Sequence, residues 1–139
     1  MALNTTNPTQ TQAWKNLQDH FEAMQKQSIK ALFAENPNRA EEFHLLWDDF
    51  LVDYSKNALT RETLNHLLAL ADEVQLNQAI AAYFRGDLIN QTENRAVLHT
   101  ALRNPETATV WVDGQNVMPE IFAVKNKIKD FTSEVISGV

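Results

Sequence analysis

The sequence predicts a mainly α chain with one or two small β-hairpins, an α+β arrangement. Three observations carry this. Apolar residues recur in steps of three and four over several stretches, the period of a helix with one buried face. Glycine is scarce, with only Gly86, Gly114 and Gly138 in 139 residues, so little of the chain is built from glycine-rich loops. One segment, "TVWVDGQNV", places Asp113-Gly114 between β-branched neighbours, the composition of a tight hairpin turn.

Taken in order, the first helix is expected near Thr9, where "TQTQ" (9–12) has the spacing of a capping box. Trp14, Leu17, Phe21 and Met24 continue it on one face. A shorter helical piece, "SIKALFA", comes next, until "ENPN" around Pro37 interrupts it. Residues 43–54, "FHLLWDDFLVDY", read two ways. Phe43, Trp47, Phe50 and Tyr54 have helical spacing, whereas Phe50, Val52 and Tyr54 alternate and Asp48-Asp49 suits a hairpin turn. Thr60 caps the next helix, with Leu59 and Leu64 at the two positions of a hydrophobic staple and Leu64, Leu67, Leu68 and Ala71 as its stripe. Another helix, roughly 76–85, ends at Gly86. In "NQTENRAVLHTALRN" (90–104), Asn90 and Glu93 are placed to cap a helix over about 91–103, which Asn104-Pro105 ends. Pro119 fits the first turn of a last helix, striped by Ile121, Val124, Ile128, Phe131 and Val135 and widened by Phe122 and Ile136.

A chain of this length makes one domain, so residues 1–139 are read as a single segment. Such a chain can bury ~68% of its unfolded surface. The net charge of −6 argues against a nucleic-acid footprint, which needs clustered Lys and Arg, and against an anionic membrane surface. There is no cysteine, which excludes disulfides, thiolate metal sites and cysteine nucleophiles. The start, "MALNTTNPTQTQ", lacks the basic and apolar regions of a signal peptide. No apolar run approaches the ~18 residues of a membrane span. These features fit a cytoplasmic protein.

The candidate chemistry is sparse. His20, His44, His66 and His99 lie on separate elements, and no two histidines have the i, i+4 spacing of a metal pair. Ser28, Ser55, Ser133 and Ser137 lack a glycine-framed elbow. Glu41-Glu42 and Asp48-Asp49 are adjacent acids in polar segments, where carboxylates are ordinarily solvated. No glycines cluster as phosphate loops require. The remaining candidate is the helix expected at 91–103, where Arg95, His99 and Arg103 would share one face. They could hold an anion, or they could be the wet face of a structural helix whose capping amides Asn90 and Glu93 already satisfy. The spacing favours the structural reading. The residues thus supply no catalytic, cofactor-binding or metal-binding site, and no cofactor is called for.

"DFLVDYSKNALT" (49–60) and "LINQTENRAVLHTALRN" (88–104) together resemble glucose-6-phosphate isomerases. In the same order, "NPTQTQAWKNLQDHF" is similar to the start of bacterial members, "IAAYFRGDLIN" to the stretch before the asparagine-capped motif, and "VDGQNVMPEI" and "VISG" to the stretches after it. The longest match is Thr92, Glu93, Arg95, Ala96, Val97, Leu98, His99, Ala101, Leu102 and Arg103. The resemblance implies a two-stranded hairpin at 43–54 with Asp48-Asp49 near its turn. It also implies that this is the N-terminal helical part of a larger α/β sugar-isomerase roughly four times as long. The family's ring-opening histidine and lysine, its proton-transferring glutamate and its phosphate loops would lie beyond this stretch. The implied partners are the remainder of the parent enzyme and a second subunit, with self-association when they are missing. A free-standing helical interaction module derived from the family is the alternative, and a reading frame that continues or stops at Val139 separates the two.

Overall fold

In a computed structural model the placement of residues 6–138 is described; residues 1–5 and 139, including the first part of the polar N-terminal stretch, lie outside it. The chain is mainly helical with two small antiparallel hairpins, as the sequence predicts. It divides into two compact units, one spanning Thr6–Val74 and the other running from Gln75 onward.

In the first unit, Asn7 and Pro8 open a 3-10 turn, and Asn7 Oδ1 accepts from the Thr9 N–H and hydroxyl at 3.1 and 2.9 Å. Thr9 is thereby engaged locally. The helix expected to begin there starts instead at Gln12, with Thr11 Oγ1 accepting the Trp14 N–H. This helix, α1 (Gln12–Met24), lies antiparallel to α4 (Arg61–Glu73). At one end of the pair the Glu73 carboxylate accepts the Gln12 and Ala13 N–H groups, each at 3.0 Å. Two of the four amides that a helix start leaves free are so satisfied by an anion at the positive end of the helix. At the other end His20 meets Thr63 at 2.6 Å. Thr60 caps α4 as expected, and reciprocally: Thr60 Oγ1 accepts the Thr63 N–H and Thr63 Oγ1 accepts the Thr60 N–H.

Between them, Ser28 caps α2 (Ile29–Glu35). A single turn, α3 (Arg39–Glu42), precedes a hairpin of β1 (His44–Trp47) and β2 (Phe50–Asp53). Trp47 pairs with Phe50, so Asp48-Asp49 is a two-residue turn, and Asp48 takes the positive φ of 53° that this turn demands. The hairpin implied by the family resemblance is therefore the structure adopted. Leu45, Leu46, Trp47, Phe50, Leu51 and Val52 are all exposed on it.

Arg39 is the largest fully buried side chain, 2% exposed. Its Nε donates to Ser55 O at 2.7 Å, and one terminal nitrogen donates to Asn57 O at 2.9 Å and Leu59 O at 2.7 Å. The guanidinium also lies 4.5 Å from the centre of the Phe43 ring. Nearby, Arg61 donates to Glu42 Oε1 at 2.8 Å and Asn36 donates to Glu42 Oε2 at 2.6 Å. These two donors, Arg61 foremost, hold the Glu42 carboxyl below the usual range.

In the second unit, Gln75 has a left-handed φ of 58°, after which α5 (Leu76–Arg85) runs over the expected residues. Gly86 ends it at φ 80°, and a Cβ there would stand 2.9 Å from Trp111 O, so both conformation and space demand glycine. Asp113-Gly114 turns the second hairpin, β3 (Trp111–Val112) and β4 (Gln115–Asn116), with both turn residues at positive φ. Asn116 Oδ1 then accepts the Val110 and Met118 N–H groups, fixing the entry to α6 (Met118–Ser137). Met118 and Ala101 are buried where α6 begins. Further along, Val124, Ile128, Phe131, Val135 and Ile136 are exposed.

The helix expected over 91–103 does not form. Asn90 and Arg95 exchange backbone hydrogen bonds at 3.0 and 3.1 Å, closing residues 91–94 into a turn with Asn94 at φ 49°. Only a 3-10 turn, Ala101–Arg103, is helical. The reason is local. Asn90 Oδ1 accepts from the Glu93 N–H and the Thr92 hydroxyl, a bond set that serves an Asx turn as well as a helix cap.

Two outcomes are expected in the first unit. Arg39→Met should lower stability by about 3 kcal/mol, because the buried Ser55 carbonyl and the part-buried Asn57 and Leu59 carbonyls lose a charged donor. Arg39→Lys should recover only part of this, since an ammonium lacks the planar fork. Urea unfolding of both variants checks it, and a neutral Arg39→Met would contradict the reading. The second outcome concerns acid. A depressed carboxylate stabilises the fold above its unfolded value, near 4.5 for Glu42, and that stabilisation is lost as pH falls through the lower native value. Glu42→Gln should therefore flatten the acid limb of the stability–pH curve, and parallel limbs in the two proteins would show that Glu42 plays no part.

Candidate functional site

The leading sequence-derived candidate is the 90–104 segment, and the structure turns its residues into a groove rather than a helix face. With 91–94 folded back on Arg95, the chain from Ala96 to Leu98 runs without regular structure and Arg95 to His99 no longer spans a helical turn. A shallow groove of about 410 Å³ is lined by Asn90, Glu93, Arg95, residues 96–98, His99, Leu102 and Ile121. Arg95 and His99 are thus brought together, while Arg103 sits outside the groove, in the 3-10 turn. All three are exposed.

The groove is electrostatically mixed. Glu93 stands beside Arg95 in its lining and is itself held by Asn90, whose Nδ2 donates to Glu93 Oε2 at 3.2 Å. An anion approaching Arg95 therefore meets a carboxylate as well. The floor is made by Leu102 and Ile121, and Lys125 from α6 donates to Leu102 O at 3.2 Å, which pins the 3-10 turn to that helix. Nearby in sequence, Arg85 donates to the Asp87 carboxylate at 2.7 Å and holds that carboxyl below its usual range. These bonds within the fold keep the segment in its own shape, and Glu93 lines the groove with Arg95 and His99.

The other sequence candidates disperse. Ser55 is buried, with its N–H given to Asp53 Oδ1. Glu42 is engaged by Arg61 and Asn36. Asp48 and Asp49 form the hairpin turn. His44 lies 3.1 Å from Ala40 O at the start of β1. Sequence reasoning missed one constellation. His20 of α1 comes together with His66 and Glu62 of α4, and the three offer ligand atoms within 4.8 Å of one another. The readable half of it was the i, i+4 pair Glu62 and His66; His20 joins only because α1 docks on α4. No helix among the described residues is long and apolar enough to cross a membrane.

Comparison with known proteins places the chain. The sequence pattern of phosphoglucose isomerase matches residues 53–139. Over 136 residues, 98% of this chain, it is 48% identical to the glucose-6-phosphate isomerase of Christiangramia forsetii. Over 137 residues, again 98% of this chain, it is 48% identical to the glucose-6-phosphate isomerase of Wigglesworthia glossinidia brevipalpis. The chain spans about a quarter of the length of these curated relatives, 25% in each. With the matched pattern running through the hairpin's last residue, α4, the folded-back turn and α6, the chain belongs to the phosphoglucose isomerase family.

Proposed function

We propose that this chain is the N-terminal structural part of an aldose–ketose isomerase that interconverts glucose 6-phosphate and fructose 6-phosphate in glycolysis and gluconeogenesis, in the cytoplasm. The single observation that carries this is the 48% identity, over nearly the whole chain, to relatives named glucose-6-phosphate isomerase. The reaction moves a proton between C2 and C1 through an enediol and needs no cofactor. It requires a base within hydrogen-bond reach of that proton, and groups that hold the sugar phosphate. The groove at Arg95 and His99 is shallow, open and shared with Glu93, which suits packing better than binding a phosphate. This chain accordingly supplies no catalytic residue, and its work is to pack against the rest of the enzyme.

The exposed apolar faces support that role. Large exposed apolar patches mark surfaces that another protein surface covers. Here they lie on the β1–β2 hairpin and along the outer two-thirds of α6. Their occupant in the parent is the remainder of the enzyme, and a second copy of the chain substitutes when that remainder is missing.

Two outcomes are expected of the isolated chain. A coupled assay should show no interconversion of the two sugar phosphates above a mock preparation, and titration with glucose 6-phosphate should leave the His99 ring resonances unmoved at sub-millimolar ligand. Turnover abolished by a substitution within the chain, or saturable His99 shifts, would refute the structural reading. Sedimentation over a wide concentration range should show reversible self-association, because burying apolar surface is worth ~25 cal/mol per Å². Phe131→Glu, at an exposed position of α6, should weaken it. A monomer at every concentration would remove the support these faces give.

A further inference from the structure

We propose that His20, Glu62 and His66 form a divalent transition-metal site that clips α1 to α4. The three residues come from two separately placed helices, so their convergence is a product of packing rather than of one sequence repeat. Glu62 presents one oxygen to each ring: Oε2 lies 3.7 Å from His20 Nδ1, and Oε1 lies 3.8 Å from His66 Nε2. At those separations the carboxylate stands outside hydrogen-bond range of both imidazoles. The atoms are instead spaced like donors around an ion. Tetrahedral bonds of about 2.0–2.1 Å put neighbouring donors roughly 3.3 Å apart, a contraction that small side-chain rotations supply.

The second ring nitrogen of His20 strengthens the case. A ligating histidine ordinarily gives its other N–H to a fixed acceptor, which sets the tautomer and the ring orientation. His20 Nε2 lies 2.6 Å from Thr63 Oγ1. That hydroxyl accepts the Thr60 N–H at 2.9 Å and lies 3.2 Å from Thr60 Oγ1. With its hydrogen turned to Thr60, its second lone pair takes the His20 Nε2–H, and every bonding direction of the hydroxyl is used. In that tautomer His20 Nδ1 is the ring nitrogen left to ligate a cation, on the side where Glu62 Oε2 lies 3.7 Å away.

Exposure suits a loaded site rather than a core contact. The His20 side chain is 8% exposed and anchored, His66 is 25% exposed, and Glu62 is 69% exposed. An ion therefore has an entry path, and water can complete the coordination. Asn16 and Asp19 of α1 line the same 380 Å³ hollow, and Asp19 adds negative charge. Two imidazoles and a carboxylate with no thiolate select Zn²⁺, Cu²⁺ or Ni²⁺ over Ca²⁺ or Mg²⁺. The expectation of no metal site weighed histidine pairs in the sequence, and this site is one histidine pair bridged across two helices by an acid.

The test is calorimetric titration of the chain with Zn²⁺, beside Glu62→Gln, His66→Ala and, as a control, His99→Ala. The expected result is one saturable site per chain, at least tenfold weaker in the first two variants and unchanged in the third. Zn²⁺ should also raise the melting temperature of the wild type and the control but not of the site variants. Co²⁺ should give the intense visible bands of a four-coordinate ion only where the site is intact. Glu62 is exposed, so Glu62→Gln retains the fold even if His66→Ala does not. Equal affinity in wild type and Glu62→Gln, loss of binding in His99→Ala, or no thermal shift with Zn²⁺ would overturn the proposal.

Discussion

The guanidinium of Arg39 reaches three carbonyls of the 55–59 loop and stacks on Phe43. It sits on a helix only one turn long, which has no packing face large enough to hold itself. The hairpin after it is exposed over both faces and likewise contributes little burial of its own. What fixes both, and sets the start of α4, is this one buried cation. Its charge is balanced at a distance by Glu42, which Arg61 also grips. A buried charge is tolerable only when hydrogen-bonded throughout. The loop carbonyls take Nε and one terminal nitrogen, and the Phe43 ring lies against the guanidinium, so the loop, the short helix and the hairpin hold or fail together.

Elsewhere the chain is thin in core. Half of the buried apolar residues described are alanines, Ala13, Ala82 and Ala101, while many leucines and aromatics face outward. These alanines are only 0–3% exposed, small side chains that fill little volume. Local rules of capping and turn chemistry define the shape here more than deep apolar burial does.

That division explains what the sequence could tell. Thr60, Gly86 and Asp113-Gly114 were readable because each answers a demand that only a few residue types meet: a side-chain acceptor for free amides, or a positive φ. The 43–54 stretch was ambiguous because its aromatics satisfy both periods, and only the family resemblance separated them. The 91–103 expectation failed at a place where one chemistry has two structural outcomes. Asn90 and Glu93 can satisfy free amides at a helix start or in a turn, and nothing local announces that Asn94 takes φ 49°. The Glu62 and His66 spacing was visible, but no sequence pattern reports that His20, 42 positions upstream of one and 46 of the other, arrives at the same point.

The Glu73 carboxylate at the start of α1 has a consequence in time. Gln12 and Ala13 are bonded to a residue 61 and 60 positions later in the chain. At synthesis rates of about 5–20 residues per second, that partner is made roughly 3–12 s after the helix start it completes. Helices form in about a microsecond, but a lone helix of 13 residues is marginal in water, so α1 forms and melts repeatedly through that interval. The amides close only when α4 has been made to its last turn and has docked. Glu73 thus ties the start of α1 to the last turn of α4, and a nascent chain stopped short of residue 73 lacks that latch.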